Sequence, residues 1–212
     1  IKTETVHGNA RIIDIDTTKI KRNLEEGKVV VVAGFQGIST TGEITTLGRG
    51  GSDTSATALG VSLKAEMVDI FTDVSGVMTA DPRIVEDAQQ LETVTYTEIA
   101  NMAYQGAKVI HPRAVEMAMN GNVPIRVRST FTKDNGTLVT SRSGFSDVCH
   151  IPERLITGIA SISNITQIKV SALEGQYDLQ LKVFKSMAEN GISVDFINVN
   201  PIGVAYTVRD EV

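Results

Sequence analysis

The chain has 212 residues, a formal net charge of −5 and 42% hydrophobic residues. This length and apolar content predict one large or two small globular domains. The mildly acidic balance argues against a general nucleic-acid or membrane-surface binder, because such proteins are basic. There is no apolar run long enough to span a membrane, no signal-peptide pattern, and a single cysteine, Cys149, which cannot form an internal disulfide. We therefore expect a cytoplasmic protein without nucleic-acid or membrane partners.

The first part of the chain alternates strand and helix patterns. The continuous β-branched run KVVVVAGFQG predicts a strand that is buried on both faces. Apolar residues then recur at helical spacing from Ala56 to Met67, which predicts a helix with Ser52 or Asp53 as its N-cap. The segment MVDIFTDV predicts a second buried strand.

Two more helices and a strand complete this pattern. Thr95 and Glu98 form a capping-box pattern before the helix TEIANMAYQ, which Gly106 is expected to end. Pro112 suits the first turn of the helix PRAVEMAMNG, which Gly121 is expected to end. VPIRVRS predicts another strand. The resulting order predicts an α/β layered domain with a mostly parallel sheet.

A second, smaller domain is predicted after a polar, turn-rich linker. The linker TKDNGTLVTSRSGFSDVCHIPER places the boundary near Ile151, so that the two domains cover residues 1–145 and 151–212. Beyond it, ITQIKVSAL, ISVDFINVN and GVAYTVRDE predict strands, and DLQLKVFKSMAEN predicts a helix. This order is part of a small α+β sandwich.

The stretch TTLGRGGSDTSATALG has the composition of an anion site. Consecutive glycines such as Gly50 and Gly51 let backbone N–H groups converge at a helix N-terminus. Arg49 adds a planar fork that suits a carboxylate or a phosphate, and Asp53 can orient an ammonium group or a lysine. The alternative is a tight turn between strand and helix with an ordinary cap. The glycines considered by themselves favour this alternative. The pattern matches neither the dinucleotide fingerprint nor the P-loop.

A second polar segment, FTDVSGVMTADPR, follows the end of a predicted strand. Ligands of open α/β sheets bind outside the carboxyl ends of strands. Asp73 can accept hydrogen bonds from ribose hydroxyls, and Arg83 can contact phosphates. The alternative is a capped turn with a surface ion pair.

The segment YQGAKVIHP joins two predicted helices. Lys108 can serve a phosphoryl group there as a point charge, and a solvated lysine is the alternative. His111 fits a helix cap or a packing role better than catalysis. No carboxylate or serine stands beside it in the sequence, which argues against a hydrolase triad.

Taken together, these segments resemble the aspartokinases of the amino-acid kinase family. The match rests on VVAGFQG, TTLGRGGSDTSA, DIFTDVSGVMTADPR, YQGAKVIHPRAVEMA and VPIRVRST, in that order. The tail from ERLITGIASISNITQIKV to GISVDFINVN is similar to the start of the ACT regulatory region. The resemblance implies ATP-dependent phosphorylation of the L-aspartate β-carboxylate to 4-phospho-L-aspartate. This step opens the route to lysine, threonine, methionine and diaminopimelate, and an end product regulates it.

The resemblance also assigns roles to residues. It makes Asp53 and Lys108 catalytic and places substrate against Phe35, Arg49, Gly50, Gly51 and Ser52. The nucleotide pocket would consist of Thr72, Asp73, Met78, Thr79, Ala80, Asp81, Pro82, Arg83 and Lys108. Many relatives have a tyrosine where this chain has Met78. Mg²⁺ would be carried by ATP, so no metal-ligating residue is assigned.

An effector site is expected in the loop ALEGQYD and the start of the following helix. Gln176, Asp178 and Gln180 are its candidates, and capping by Asp178 alone is the other reading. The effector would be lysine, threonine or diaminopimelate. Because such sites usually form between paired ACT domains, the resemblance implies a homodimer.

The chain departs from the family pattern at both ends. The family's first strand with its Lys-Phe-Gly-Gly loop is absent, and the ACT region is incomplete. We therefore expect a piece of a longer enzyme, with weak or no kinase activity by itself. Two alternatives are another kinase of this fold, acting on glutamate, acetylglutamate or a nucleotide, and a non-catalytic regulatory chain that binds an amino acid.

Overall fold

The computed structural model of the protein describes residues 1–141, 155–171 and 178–210. The chain divides into two compact units, Ile1–Ser161 and Ile162–Val212. The predicted boundary near Ile151 lies outside the described residues. The assignment of residues 1–145 and 151–212 to a catalytic and a regulatory domain stays a prediction. Within the described part of the chain, no helix is both long and apolar enough to cross a bilayer.

The first unit contains a sheet of four short strands. They are β1 (Lys2–Thr3), β2 (Ile12–Asp14), β3 (Gln36–Ser39) and β4 (Ile44–Thr46), in the order β2-β1-β3-β4. The pairing of β1 with β3 is parallel, and the other two pairings are antiparallel. The helix α1 (Thr18–Glu25) follows β2 and has no buried residue. The sequence did not predict β1, β2, β4 or α1, because short elements show no clear period. The start of β3 lies within the predicted strand KVVVVAGFQG.

The second sheet of this unit corresponds to the predicted layered domain. Its strands are β5 (Val68–Thr72), β6 (Thr93–Thr95), β7 (Ile125–Ser129) and β8 (Thr137–Thr140), in the order β5-β7-β8-β6. The pairings β5–β7 and β6–β8 are parallel, and β7–β8 is antiparallel. The predicted α/β class with a mostly parallel sheet is confirmed. The strands β6 and β8 escaped prediction because both are short and rich in threonine.

Three helices pack with this sheet around the hydrophobic core. They are α2 (Gly51–Leu63), α3 (Tyr96–Tyr104) and α4 (Pro112–Gly121). Ile125, Val127 and Val139 of the sheet are fully buried, as are Ile99, Ala114 and Val115 of the helices. The capping box is confirmed, because the Thr95 hydroxyl accepts from the Glu98 N–H while the Glu98 carboxylate accepts from the Thr95 N–H.

Two predicted helix boundaries need correction. The N-cap of α2 is Gly50, at φ 68°, rather than Ser52 or Asp53, which lie in the first helical turn. Glycine adopts this left-handed conformation without the Cβ clash that other residues meet. The helix α4 includes Gly121, and its left-handed C-cap is Asn122 at φ 49°. Gly121 is instead a close-approach position, because a Cβ there would overlap Val61 of α2.

The predicted strand over KVVVVAGFQG is wrong for most of its length. Residues 28–35 have no regular structure, and the strand β3 begins only at Gln36. The side chains of Val29 and Val31 are 92% and 93% exposed. A strand buried on both faces needs neighbouring strands and a covering layer. Among the described residues, no strand pairs with residues 28–35.

The second unit contains the four elements that the sequence predicts. They are β9 (Ile165–Ser171), α5 (Leu179–Glu189), β10 (Asp195–Asn200) and β11 (Gly203–Arg209). The strands form an antiparallel sheet in the order β10-β11-β9. Val204 and Tyr206 of β11 are buried, and the Phe184 ring of α5 lies 6.0 Å from the Tyr206 ring.

Candidate active site

The glycine-rich turn between β4 and α2 has a shape that only glycine accommodates. We call residues 47–53 the elbow. Gly48 and Gly50 adopt φ angles of 78° and 68°, which are left-handed conformations that favour glycine. A Cβ on Gly51 would lie 2.9 Å from both the Leu47 Cβ and the Phe35 ring. The three glycines therefore allow a tight entry into α2.

The elbow presents an uncapped helix N-terminus and a cation. In the part of the chain that the structure describes, the N-cap Gly50 of α2 has no side-chain cap bond, and Arg49 and Ser52 are exposed. The first turn of a helix carries backbone N–H donors and a partial positive charge, which together bind anions. The exposed Arg49 guanidinium adds a fork that matches a carboxylate or a phosphate. The elbow is thus suited to hold a carboxylate.

Asp53 is a half-buried carboxyl in the first turn of α2. Burial raises its pKa above the ordinary value for aspartate. The backbone N–H of His111, the His111 ring and the Ser52 side chain oppose this shift. Asp53 is therefore held in a setting that disfavours its charge, which is a common property of functional groups.

Phe35 lies directly against the elbow. Its ring approaches Gly51, its N–H donates to the Ser55 hydroxyl at 3.2 Å, and its carbonyl accepts from the Leu47 N–H at 2.9 Å. Phe35 has a φ of 69°, and its side chain is 45% exposed. A bulky residue in this conformation costs about 1–2 kcal/mol. The structure thus brings Phe35 together with the predicted substrate residues.

The N-terminus of α4 contacts the elbow from another side. The His111 Nδ1 accepts from the Arg113 N–H at 3.3 Å, so that His111 caps α4, as the sequence indicated. A Cβ on Gly50 would overlap the His111 side chain. The Arg113 guanidinium donates to the Leu47 carbonyl at 3.2 Å. Sequence analysis missed Arg113, because its partner lies 66 positions away.

The predicted nucleotide segment begins at the end of β5. The Thr72 hydroxyl donates to the Asp73 carboxylate at 3.0 Å, and the Thr72 carbonyl accepts from the Thr130 N–H at 2.8 Å. Both Asp73 and its neighbour Val74 are exposed. The Asp73 carboxylate is therefore open to solvent at the carboxyl end of a strand, where the sequence placed it.

Hydrogen bonds anchor the loop from Met78 to Arg83 through Thr79. The Thr79 N–H donates to the Gln89 carbonyl, and the Thr79 carbonyl accepts from the Ile159 N–H, both at 2.8 Å. Met78 forms an isolated bridge with Gln90. Ala80 is half-buried and Pro82 is exposed. The start of the loop, at Met78 and Thr79, is thus fixed by hydrogen bonds. We call residues 81–83 the rim of the loop, and Pro82 and Arg83 of this rim are exposed.

Asp81 and Arg83 form a surface ion pair on this rim. The guanidinium lies 2.6 Å from the carboxylate and holds the Asp81 pKa at about 2. The Arg83 side chain is 87% exposed. In this structure Arg83 therefore contacts Asp81, as in the alternative interpretation of the segment.

Lys108 is exposed in the turn between α3 and α4. Across residues 1–141, 155–171 and 178–210, the structure gives it no ion pair. Within the same ranges, no group of three or more His, Cys, Asp or Glu residues is arranged to hold a metal ion. The Lys108 ammonium is thus open to an anionic ligand.

The predicted effector residues have different positions. Gln176 lies outside the described residues. Asp178 occupies the N-cap position of α5 without a side-chain cap bond, and its carboxylate instead pairs with Lys182 at 2.7 Å, which lowers its pKa. The Gln180 amide donates to the Asn200 carbonyl at 3.0 Å. The prediction that the Asp178 side chain caps α5 is therefore wrong.

The layered sheet and the glycine-rich elbow at a helix N-terminus fit an α/β kinase of the amino-acid kinase type, and the elbow lies within the part of the chain that matches this family. Residues 1–129 match the model of the amino acid kinase family. The chain belongs to this family.

Several relatives are aspartokinases. The chain is 58% identical over 206 residues to Aspartokinase 1 of Bacillus subtilis (strain 168), which covers 97% of this chain and 51% of that protein. It is 46% identical over 216 residues to the aspartokinase of Geobacillus stearothermophilus, covering 100% of this chain and 52% of the relative. The chain thus spans about half the length of the curated relatives it matches.

Solved structures give the same likeness. Aspartokinase III of E. coli in complex with aspartate and ADP, in the R-state, aligns with a TM-score of 0.77 at 32% identity, over 98% of this chain and 46% of that one. The T-state of the same enzyme, in complex with lysine and aspartate, has a TM-score of 0.75 at 32% identity with the same coverage.

Proposed function

We propose that this chain takes part in the ATP-dependent phosphorylation of the L-aspartate β-carboxylate to 4-phospho-L-aspartate. The observation that carries the proposal is the uncapped N-terminus of α2, with the exposed Arg49 and the Phe35 ring beside it. The identity of 58% to a protein named Aspartokinase 1 supports it. So does the fold shared with an enzyme that holds aspartate and ADP.

The elbow supplies the substrate site in this proposal. Arg49 and the Ser52 N–H hold a carboxylate of aspartate, because a guanidinium fork and a helix N-terminus both favour an anion. The Gly51 N–H donates to the Gly48 carbonyl at 3.0 Å and so keeps the turn closed. Phe35 forms an apolar wall against which the substrate lies. The glycine turn holds these groups in place before substrate arrives, which lowers the entropic part of the barrier.

Asp53 and the nucleotide residues act on the other reactant. Asp53 orients the reacting groups through its half-buried carboxylate. Lys108 places its open ammonium against the transferring phosphate, since phosphoryl transfer needs charge neutralisation rather than a protein nucleophile. Thr72, Asp73 and the loop from Met78 to Arg83 line the nucleotide pocket.

Magnesium enters with the nucleotide in this proposal. Mg²⁺ usually keeps several waters and takes few protein ligands, so no residue of this chain is assigned to the ion. When bound with the nucleotide, the ion would supply positive charge that neutralises the phosphates. The protein's own part is to hold the phosphates with Lys108 and Arg83, and Arg83 must leave Asp81 to do so.

The second unit provides regulation in this proposal. The T-state structure of E. coli aspartokinase III contains lysine. We infer that an end-product amino acid, namely lysine, threonine or diaminopimelate, binds around Gln176, Asp178 and Gln180, and that the active form is a cytoplasmic homodimer. Isothermal titration with each amino acid tests effector binding. The absence of heat with all three amino acids would overturn the proposed regulation.

A coupled assay of ADP release tests the activity directly. The protein expressed from its complete gene, with MgATP, is expected to turn over L-aspartate and to form a hydroxamate with hydroxylamine. L-glutamate and N-acetyl-L-glutamate serve as matched acceptors, and a preference for either would replace the aspartate proposal. An inactive protein that still binds amino acids would favour a regulatory chain. The 212-residue chain alone is expected to show weak or no turnover.

A further inference from the structure

The first turn of α4 contacts the elbow at two points. The His111 side chain fills the space that any side chain on Gly50 would need. The Arg113 Nη1 donates to the Leu47 carbonyl at 3.2 Å. Neither contact involves Arg49 or Ser52, the exposed residues of the elbow. The helix α4 therefore contacts the elbow at Leu47 and Gly50 and leaves the side chains of Arg49 and Ser52 exposed.

These two contacts hold the elbow at its first residue, Leu47, and in its middle, at Gly50. Leu47, where the elbow begins, is 1% exposed, and its N–H already bonds to the Phe35 carbonyl. The bond from Arg113 therefore completes a connection from Phe35 through Leu47 to α4. Gly50, in the middle of the elbow, is the N-cap of α2. A shift of α4 would move both Phe35 and the start of α2.

His111 also contributes to the setting of Asp53. The His111 backbone N–H favours the Asp53 carboxylate and so opposes the rise of the Asp53 pKa, and the ring adds to this only when it is protonated. Burial, with the positive charges of Arg113 and Arg49, lowers the His111 pKa. Because Nδ1 accepts the N–H of Arg113, a neutral ring carries its proton on Nε2. The ring thus has one defined orientation beside Gly50.

We propose that His111 and Arg113 are positioning residues for the elbow. They hold Leu47 to Asp53 in the shape in which Arg49 and the helix N-terminus face the carboxylate, and they do not touch substrate themselves. This inference rests on the proposed function, because it assigns the elbow to the amino-acid substrate. A positioning role predicts a change in KM for aspartate without a matching change in KM for ATP.

Variants of Arg113 test the first contact in the protein from the complete gene. Arg113→Ala removes one charged hydrogen bond that holds the elbow in shape. We expect the KM for L-aspartate to rise about tenfold, which corresponds to the free energy of one such bond. The KM for ATP should change less than about twofold. Arg113→Lys should restore part of the loss, because a single donor suffices for one carbonyl. Asn120→Ala, an exposed change in the last turn of the same helix, is the control.

Variants of His111 separate positioning from helix capping. Asn is a good N-cap, so His111→Asn keeps a cap acceptor but removes the ring beside Gly50. We expect it to raise the KM for aspartate with an unchanged Tm. His111→Ala loses both functions and should also lower the Tm. Equal changes in both KM values and in Tm for all these variants would show a purely structural role and overturn the proposal.

Hydrogen exchange gives a readout that does not need activity. In Arg113→Ala, the backbone amides of residues 47–53 should exchange faster than in the unchanged protein, while those of α3 should not. If the protein phosphorylates no aspartate but exchange in the elbow rises, the proposed function fails and the support by α4 stands. If exchange and the KM for aspartate are both unchanged, the support by α4 fails.

Discussion

The elbow and the rim of the nucleotide loop differ in what holds them. The elbow is fixed by contacts between distant parts of the chain, including Arg113 with Leu47 and Phe35 with Gly51. The rim is held by a local ion pair between the half-buried Asp81 and the largely exposed Arg83. Packed contacts resist displacement, whereas an exposed pair is readily exchanged for water or ligand. Under the proposed function, the elbow is therefore a preformed substrate site, whereas the rim is an adaptable part of the nucleotide site.

The largest effect is expected from Gly50→Ala. The φ of 68° costs about 1–2 kcal/mol for alanine, and the overlap with His111 adds about 1–3 kcal/mol. We expect a lower free energy of unfolding, measured in urea, and loss of aspartate phosphorylation. Gly42→Ala is the matched control, since Gly42 has a φ of 87° and open space around it. Equal losses in the two variants would show that the contact with His111 contributes nothing.

Asp53→Asn is expected to separate stability from activity. Burial raises the pKa of Asp53, so the charged carboxylate destabilises the folded state. The asparagine variant should therefore be more stable at neutral pH. Its advantage should vanish below the ordinary carboxyl pKa of about 3.9 and develop as the pH rises toward the raised value. Its kcat should fall by about 10²–10³.

The measurement for Asp53 is a series of urea unfolding curves between pH 3 and pH 8, with kcat measured at neutral pH. Glu66→Gln, a change at an exposed acid outside the site, is the control for the loss of one negative charge. A destabilised Asp53→Asn protein at neutral pH would contradict the burial argument.

Arg49 variants should affect binding alone. Arg49 is exposed, so Arg49→Lys should leave the Tm unchanged. Loss of the planar fork should raise the KM for aspartate about tenfold or more. Steady-state kinetics with varied aspartate and with varied ATP make the measurement. A change in the KM for ATP alone would move Arg49 from the substrate site to the nucleotide site.

The smallest effect is expected at the rim. Arg83→Ala removes an exposed ion pair, so we expect no measurable change in Tm. The Asp81 pKa, now about 2, should rise toward its ordinary value, as measured by an NMR titration. The pair stabilises the fold only above the ordinary carboxyl pKa, and this contribution is lost as the pH falls toward about 2. A clear loss of Tm would show that the rim is as fixed as the elbow.

Local signals predicted much of the fold. The capping box at Thr95 and the proline at the start of α4 involve neighbours within four residues, so the sequence shows them directly. The glycines of the elbow also marked its place. The run from Val29 to Val32 gave a wrong prediction of a buried strand, since Val29 and Val31 are exposed. Its β-branched composition favours a strand but does not show whether neighbouring strands are present to pair with it.

The sequence by itself determined the α/β class, the main helices and the location of the glycine-rich turn, since these depend on periodicity and on residue conformation. Only the tertiary structure decided that Gly50 must be glycine on account of His111, that Arg113 holds Leu47, and that Asp53 is half-buried. These properties arise from groups brought together across more than 50 positions of the chain. No local pattern encodes such a distance, so the support of the elbow is visible only once α4 has docked.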